Sequence, residues 1–163
     1  LAERIDQGTI FLITGNALEV FGQYIEQEDG SRIEGLGLFN LWAKRQMMKR
    51  YNSLYLGRFE DMRIVGFKSQ FSHSYGDNSQ MYLFNTERGD GLHPGISAEG
   101  IRKNNFMATY LLGPLLVLNP PFTRRLLKLL GVQTPVLAFE AAAEASYRVR
   151  LEEFLNPKTK MQY

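Results

Sequence analysis

The segment TIFLITGNALEVFGQYI, from Thr9 to Ile25, carries the strongest information on how this chain folds. Thr9 to Ile13 is a run of β-branched, aromatic and aliphatic residues, which is typical of a strand buried on both faces in a parallel sheet. The polar turn Thr14 to Asn16 interrupts this run, and Ala17 to Ile25 then returns to helical spacing. A strand, a glycine-containing turn and a helix in this order predict an α/β fold, and they have the local architecture of a nucleophile elbow.

The residues before this segment predict the end of a helix, and with it earlier elements of the same domain. Leu1 to Gly8 (LAERIDQG) has the pattern of the last turns of a helix that Gly8 ends. An α/β domain that opens on such a helix is expected to have earlier strand–helix units upstream. We therefore expect residues 1–163 to form one domain that lacks its first units.

The middle of the chain predicts short strands and turns. Met47 to Tyr55 and Met62 to Phe71 have extended patterns, and we expect them to pair antiparallel because no crossover of helical length separates them. Ser74 to Asn78 is a predicted turn and Met81 to Asn85 a predicted strand. The basic stretch Lys44 to Arg50 is interpreted as a solvated edge strand, with an acidic partner as the alternative.

The last third of the chain predicts a hairpin, a strand and two helices. Glu87 to Gly100 (ERGDGLHPGISAEG) lacks the spacing of a phosphate-binding loop and is interpreted as a glycine-rich hairpin. A strand is predicted over Phe106 to Leu111. Helices are predicted over Phe122 to Leu130 and over Phe139 to Leu155, the second with an apolar face that includes Phe139, Tyr147 and Leu151.

Composition excludes several classes of function. The net charge of +2 and the scattered basic residues do not indicate nucleic acid binding. No apolar run approaches the roughly 20 residues that a membrane span requires. The absence of cysteine excludes disulfides, thiolate metal sites and thiol catalysis, and is compatible with a cytoplasmic location. The two histidines have no metal-ligand spacing, and neither a metal nor a cofactor is expected.

The segment NFMATYLLGPLLVLNP, from Asn105 to Pro120, resembles a known enzyme motif. It is similar to the C-terminal signature of the cobyric-acid-synthase-like class I glutamine amidotransferases, which runs G-T-Y-L-H-G-P-L-L…N-P. Residues on or close to that pattern are Ala108, Thr109, Tyr110, Leu111, Gly113, Pro114, Leu115, Leu116, Asn119 and Pro120. The G-L-G-L-F segment at Gly35 to Phe39 is also similar, and the resemblance extends over about Thr9 to Gly131.

The resemblance implies an enzyme frame in which the catalytic positions are degenerate. The family's catalytic histidine falls on Leu112, and its nucleophilic cysteine falls on Thr14 or Gly15, depending on the alignment of the elbow. A glutaminase needs a thiolate at the elbow and a histidine that deprotonates it and later protonates the departing ammonia. Neither leucine, glycine nor a threonine without a base can supply this chemistry. We interpret Thr14 as a residue that caps the helix or closes the turn, together with Asn16.

The same resemblance gives expectations for fold, ligand and partner. It implies the flavodoxin-like three-layer α/β sandwich of class I amidotransferases, with antiparallel additions. Residues that we expect around a former glutamine pocket are Gly15, Asn16, His73 and Tyr110. His73 is displaced from the family's histidine in this region, and Lys68 occupies an expected acidic position. We predict that His73 and His93 are loop or surface histidines.

Three hypotheses on function follow from these patterns. The first is a glutaminase-like protein without activity that scaffolds or regulates a Mur-ligase-like synthetase in cell-wall precursor amidation. The second is an active amidotransferase that uses unusual residues, with Thr14 and His73 as the candidates. The third is a small-molecule binding module that uses the empty glutamine pocket.

Overall fold

Three β-sheets and four α-helices make up an α/β structure with mixed sheets. The computed structural model describes all residues from Leu1 to Tyr163. The helices are α1 (Ala2–Asp6), α2 (Leu115–Leu118), α3 (Pro120–Leu129) and α4 (Glu140–Leu155). The strands are β1 (Phe11–Thr14), β2 (Tyr24–Glu26), β3 (Arg32–Glu34), β4 (Trp42–Arg45), β5 (Tyr51–Phe59), β6 (Met62–Gln70), β7 (Ser72–Tyr75), β8 (Phe84–Arg88), β9 (Ala98–Glu99), β10 (Ile101–Lys103) and β11 (Phe106–Thr109).

The first sheet has the strand order β1-β11-β10 and positions the turn at Gly15. β1 and β11 are parallel, and Thr14 is in register with Thr109. The predicted parallel strand is thus confirmed, but its expected burial on both faces is wrong. Because β1 pairs only with β11, its residues Phe11–Thr14 are partly or fully exposed, whereas all four residues of the central strand β11 are buried.

The helix predicted over Ala17 to Ile25 is wrong in type and length. Residues Gly15–Phe21 form a 3-10 helix, and the backbone extends at Gly22 into β2. Tertiary pairing explains the difference, because Ile25 is in parallel register with Ala43 of β4. The backbones also approach closely here, since a Cβ at position 22 would lie 2.6 Å from the carbonyl oxygen of Leu41.

The second sheet has the order β3-β2-β4-β7, and the predicted edge strand over Lys44 to Arg50 is wrong: Lys44 and Arg45 end the interior strand β4, and the residues after them leave the sheet. Lys44 forms a 2.8 Å ion pair with Glu26, its register partner on β2. Ser74 and Tyr75 belong to β7, and the turn that was predicted to start at Ser74 begins at Gly76.

The third sheet has the order β6-β5-β8-β9 and contains the predicted antiparallel pair. β5 and β6 are antiparallel from Tyr51 with Gln70 to Phe59 with Met62. β5 begins later than predicted because Gln46 to Lys49 forms a turn, in which the Lys49 amide donates to the Gln46 carbonyl. β8 also begins later than predicted, and its antiparallel pairing with β9 confirms the glycine-rich hairpin.

The two C-terminal helices are confirmed as α3 and α4. Phe154 is buried with Leu56 and Val65, and Tyr147 and Leu151 pack against that cluster. Phe139 was predicted on this apolar face, but it is 88% exposed at the N-terminus of α4. None of the helices combines the length and apolar character that crossing a bilayer requires.

Two larger apolar clusters form the rest of the core. One is centred on Phe59, Phe84 and Phe122, between the third sheet and α3. The other surrounds Phe106 and includes Leu18 of the 3-10 helix and Tyr110, the residue that follows β11. The second cluster joins the turn at Gly15 to the motif at the end of β11, and it therefore positions the candidate site.

Candidate functional site

Gly15, one of the two candidate positions for the family's cysteine, faces Leu112, the position of its histidine, across a short apolar contact. Gly15 follows β1 with a φ of +67°, in the left-handed region that glycine enters without steric cost. A Cβ built on Gly15 would lie 3.0 Å from Cδ2 of Leu112. The turn at Gly15 and Leu112 are therefore adjacent, and the leucine side chain fills the space between them.

The backbone holds Leu112 in this place. Its amide donates a 2.9 Å hydrogen bond to the carbonyl of Phe67 on β6. Leu111, directly before it, is buried against Gly66. Leu112 is half-buried and carries no group that could accept or donate a proton. The arrangement thus provides no general base at this position.

Thr14 and Asn16, on either side of Gly15, do not cap the 3-10 helix. Thr14 is the N-cap residue but makes no side-chain capping hydrogen bond, and its side chain is exposed. The Asn16 amide nitrogen donates instead to Glu19 Oε1 at 2.9 Å and to Ser72 Oγ at 2.7 Å. The predicted capping role is therefore wrong for both residues, because the Asn16 amide is directed to Glu19, three residues further on, and to Ser72 of β7.

Glu19 is the centre of a buried polar cluster beneath the elbow turn. The residue is only 3% exposed, and its Oε1 accepts hydrogen bonds from Asn16, from the hydroxyl of Ser72 and from the hydroxyl of Tyr110 at 3.0 Å. Tyr110 also shares a 2.7 Å hydrogen bond with Ser74. A carboxylate that accepts three hydrogen bonds on one oxygen ties the 3-10 helix to β7 and to the end of β11.

Burial dominates the electrostatics of this cluster. Loss of solvent raises the pKa of Glu19 above its usual value, although the hydrogen bonds from Ser72 and Tyr110 and the charge of Arg45 oppose the effect. Burial also raises the pKa of Tyr110 well above its usual value, with a further contribution from the charge of Glu19. The Tyr110 hydroxyl is thus a permanent donor and acceptor whose partners are internal to the protein. A crevice beside Glu19 is too narrow to admit a water molecule.

A second buried cluster connects the third sheet to the motif after β11. Lys68 of β6 is paired with Glu99 of β9, and both side chains are almost completely inaccessible. The Lys68 ammonium also donates to the carbonyls of Asp90 at 2.8 Å and Gly91 at 2.6 Å. Burial lowers the pKa of Lys68, and the charge of Glu99 partly offsets this effect.

The other carboxylate oxygen of Glu99 fixes the motif itself. Glu99 Oε1 accepts 2.8 Å hydrogen bonds from Thr109 Oγ1 and from the Tyr110 amide. The Thr109 hydroxyl accepts in turn from the Leu111 amide at 3.1 Å. Lys68 thus occupies the position where the resemblance expects an acidic residue, and the acidic partner comes from the glycine-rich hairpin.

His73 is not a surface histidine, because it lies within β7 and is 8% exposed. Its neighbours Ser72 and Ser74 contact Glu19 and Tyr110, and alternation along the strand therefore directs His73 to the opposite face of β7. The structure brings Gly15, Asn16, Tyr110 and Leu112 together, but it leaves His73 on the other side of this strand.

The surroundings of His73 are those of a core residue. Its Nδ1 lies 3.1 Å from the amide nitrogen of Gln70, and its ring meets Tyr51 edge-on at 5.1 Å. Burial lowers the pKa of His73, which favours the neutral imidazole. His93 is half-buried in its loop and stacks on Tyr75 at 4.8 Å.

Sequence reasoning missed the two buried glutamates, Glu19 and Glu99. Each has only a weak local signal: Glu19 stands between Leu18 and Val20, and Glu99 lies in a polar glycine-rich segment. Their burial depends on partners far along the chain, such as Tyr110 for Glu19. No cluster of three or more histidine, cysteine or acidic side chains is arranged to hold a metal ion.

Comparison with known proteins gives two relatives with the same name. Over 128 residues the chain is 27% identical to the lipid II isoglutaminyl synthase (glutamine-hydrolyzing) subunit GatD of Staphylococcus aureus (strain N315). This alignment covers 78% of this chain and 52% of that protein. Over 123 residues it is 27% identical to the subunit GatD of Streptococcus pneumoniae (strain ATCC BAA-255 / R6), which covers 74% and 47%. No family model matches the chain. The chain spans about half the length of the curated relatives that it matches, and it is similar to GatD proteins at this level of identity.

Proposed function

We propose that this protein is a GatD-like amidotransferase homologue that does not hydrolyse glutamine and that acts as a partner or regulator of a Mur-ligase-like synthetase. The similarity to two subunits of glutamine-hydrolysing lipid II isoglutaminyl synthases supports the amidation of a cell-wall precursor as the process. The word subunit in both names supports a protein that works in a complex. Under this proposal the protein acts in the cytoplasm and needs no cofactor.

The contact between Gly15 and Leu112 is the observation that carries the proposal. A glutaminase of this class needs a nucleophile at the elbow and a base opposite to it, within hydrogen-bonding reach. Of the two candidate elbow positions, Gly15 has no side chain and Thr14 has a hydroxyl without a base. The residue opposite Gly15 is Leu112, whose Cδ2 lies 3.0 Å from where a Cβ on Gly15 would be. Because Leu112 offers no base at this position, the proposal assigns this chain a role other than hydrolysis.

The hydrogen bonds that hold the motif support a retained structural frame. Asn119 is completely buried, and its amide group bonds both the amide and the carbonyl of Val65, each at 2.8 Å. Together with Glu99 and Tyr110, this residue fixes the chain on both sides of Leu112. Loss of the reacting groups with retention of these contacts fits a protein selected for its shape and surface.

The proposal extends to the fold of the whole protein. The parallel pair β1 and β11, with the turn at Gly15 after β1, has the local arrangement expected next to the elbow of a flavodoxin-like three-layer sandwich. We propose that residues 1–163 belong to one domain of that type, with the antiparallel pair β5 and β6 as an addition.

Co-purification from the native cell tests the partnership. The tagged protein, expressed from its own locus, is expected to retain a Mur-ligase-like synthetase through stringent washing, as identified by mass spectrometry. A strain that expresses the tag alone is the control for background. Recovery of the protein without any ligase-like protein, at expression levels where both are detected in the lysate, would contradict the proposed partnership.

The geometry does not favour the two other hypotheses. Thr14 is exposed on β1, whereas His73 faces away from the Glu19 cluster, so no contact pairs them as nucleophile and base. A retained glutamine pocket would require free polar groups, but Asn16 and Tyr110 direct theirs to Glu19.

A further inference from the structure

A separate cleft lies at the far end of the third sheet and is lined mainly by polar residues. It has a volume of about 480 Å³ and opens between the end of the β5–β6 hairpin, the segment Ser79 to Leu83 and β10. This volume is within the range of ligand-binding clefts in proteins, roughly 300–1,000 Å³. Neither Gly15 nor Leu112 lines it, so the inference goes beyond the proposed function.

The side chains in this cleft are suited to an anion. Arg58 of β5 and Arg102 of β10 contribute guanidinium groups, and Asn85 of β8 is in direct register with Arg58. Ser79 and Gln80 add a hydroxyl and an amide on the remaining side. Guanidinium groups present several N–H donors in a planar fork that matches the oxygens of phosphate groups.

Part of this charge is held in place by shared carboxylates. Arg58 and Arg63 both pair with Glu87, at 2.7 and 3.0 Å. Arg102 and Arg125 both pair with Glu60, at 2.9 and 3.3 Å. Each carboxylate therefore serves two guanidinium groups.

The sharing leaves an excess of positive charge at the cleft. Burial acts to raise the pKa of Glu60, but the hydrogen bonds from Arg125 and Arg102 outweigh it and lower the pKa, so the carboxylate is ionised. Asp61, the next residue, faces the neighbouring cleft on the α4 side. Among the residues that line the cleft, two arginines, Arg58 and Arg102, stand against one carboxylate, Glu60.

The positions of the two arginines are also defined. Arg102 lies over the ring of Phe59, with the guanidinium carbon 4.6 Å from the ring centre, and Phe59 is buried in the core. Arg58 donates from both Nε and Nη2 to Glu87. Each guanidinium is thus oriented by the protein and keeps N–H groups that these contacts do not use.

We propose that this cleft binds a small ligand that carries a diphosphate or two phosphate groups, with Arg58 and Arg102 as the principal anion-binding residues. Two guanidinium groups from different strands can each face one phosphate group, while Asn85 and Ser79 donate further hydrogen bonds.

Titration calorimetry with inorganic pyrophosphate tests this proposal on the full chain. The expected result is saturable binding with one site, and about tenfold or greater weakening in Arg102→Gln and in Arg58→Gln, since each removes a charge-assisted hydrogen bond. Arg148→Gln is the matched control, because Arg148 is exposed on α4 and forms no ion pair. It makes the same change in net charge and is expected to bind like the unaltered protein.

A second variant separates binding from folding. Asn85 is exposed and is a member of neither ion pair, and Asn85→Asp adds a negative charge to the cleft. It is therefore expected to weaken pyrophosphate binding without lowering Tm appreciably. Amide chemical shifts of Ser79 to Leu83 are expected to move on addition of pyrophosphate. Citrate at the same concentration is the control for unspecific anion binding.

Three outcomes would overturn the proposal. They are the absence of saturable binding, equal binding of citrate and pyrophosphate, and equal weakening in Arg148→Gln and Arg102→Gln. None of these variants changes Gly15 or Leu112. A failure to bind pyrophosphate would therefore leave the proposed function standing, and the two proposals can fail independently.

Discussion

At Gly15 the backbone has a left-handed conformation, and the side chain of Leu112 occupies the space next to its α-carbon. The absence of a side chain at position 15 and the position of the Leu112 side chain are sterically consistent with each other. A side chain at position 15 would need both a strained φ and a displaced leucine, whereas glycine needs neither. Gly15 and Leu112 therefore form a packed apolar contact.

Substitution of Gly15 by alanine is expected to cost more stability than the same change at a glycine with open space. Gly15→Ala should lower the free energy of unfolding by about 2–4 kcal/mol, because alanine would have to adopt a left-handed conformation and its Cβ would lie 3.0 Å from Leu112. Gly30→Ala is the control, since Gly30 has a φ of +82° with no atom within 4 Å, and it should cost only about 1–2 kcal/mol. Urea unfolding measures both.

The contact with Leu112 can be isolated with a double variant. In Gly15→Ala/Leu112→Ala the alanine at position 15 no longer meets a leucine, so the extra cost of Gly15→Ala over Gly30→Ala is expected to disappear in that background. Equal costs of Gly15→Ala and Gly30→Ala in the otherwise unaltered chain would show that Leu112 does not fill this space.

Glu19 gives a residue-level prediction about pH. Because burial raises its folded pKa above the usual 4.5, the native state binds the proton more tightly than the unfolded chain does. This group therefore makes stability decrease as pH rises from about 4.5 through the folded pKa. Glu19→Gln keeps the acceptor oxygen without the charge. Its stability relative to the unaltered protein is expected to increase with pH over that window and then level off.

Urea unfolding at a series of pH values from about 4 to about 8 measures this difference. A difference between Glu19→Gln and the unaltered protein that decreases with rising pH would contradict the assignment, because it would mean that the hydrogen bonds from Ser72 and Tyr110 outweigh burial.

At the scale of elements, the buried pair Lys68 and Glu99 joins β6 to β9 and, through Glu99, to the end of β11. Lys68→Met leaves a buried carboxylate without its cation and is expected to cost about 3–5 kcal/mol. Lys68→Met/Glu99→Gln removes both charges but keeps an acceptor for Thr109 and Tyr110, so it should cost less than the sum of the single changes.

A double-mutant cycle by chemical unfolding measures this coupling. Lys128→Met is the control for replacing an exposed lysine, and a change within about 0.5 kcal/mol is expected. Strict additivity of Lys68→Met and Glu99→Gln would mean that the two side chains do not act as a pair.

Local patterns predicted the elements that depend on local contacts. The antiparallel pair β5 and β6, the strand β1 and the helices α3 and α4 follow from periodicity and turn residues. The helix over Ala17 to Ile25 was wrong because Ile25 and Glu26 pair with Ala43 and Lys44 of β4, far along the chain, and this pairing draws Tyr24 to Glu26 into a strand. Helical spacing in the sequence gives no information on such long-range strand pairing.

The candidate site was predictable only in part for the same reason. Gly15 and Leu112 were paired through a motif, and the structure places them in contact. The burial of Glu19 and Glu99 is created by donors on other elements, and the inward position of His73 by the pairing of β7 with β4. These features arise from long-range packing, and no local pattern of residue types reports them.

At the scale of the whole molecule, Arg88 fastens the C-terminal segment to the third sheet. Its guanidinium donates to the carbonyls of Phe154 at 2.5 Å, Asn156 at 2.6 Å and Thr159 at 2.8 Å. These carbonyls at and beyond the end of α4 have no continuing helical turn to bond them. The residues after α4 are thus tied to the third sheet.

Arg88→Gln is expected to loosen this segment without unfolding the sheet. Amide exchange at Thr159 and at Leu54, which donates to the Met161 carbonyl, should accelerate by about tenfold or more, while exchange in β6 stays slow. Arg148→Gln on the outer face of α4 is the control. Unchanged exchange at both amides in Arg88→Gln would show that the apolar contacts of Phe154 alone hold the segment.

The central claim is that this amidotransferase-like frame does not hydrolyse glutamine. The most direct test is ammonia release from glutamine by the full chain, alone and with the Mur-ligase-like synthetase of the same cell, with a known glutaminase assayed in parallel. We predict no release above background in either condition, because the contact between Gly15 and Leu112 contains neither nucleophile nor base. Clear release that Thr14→Ala or His73→Ala abolishes would contradict the claim and would identify a different nucleophile or base.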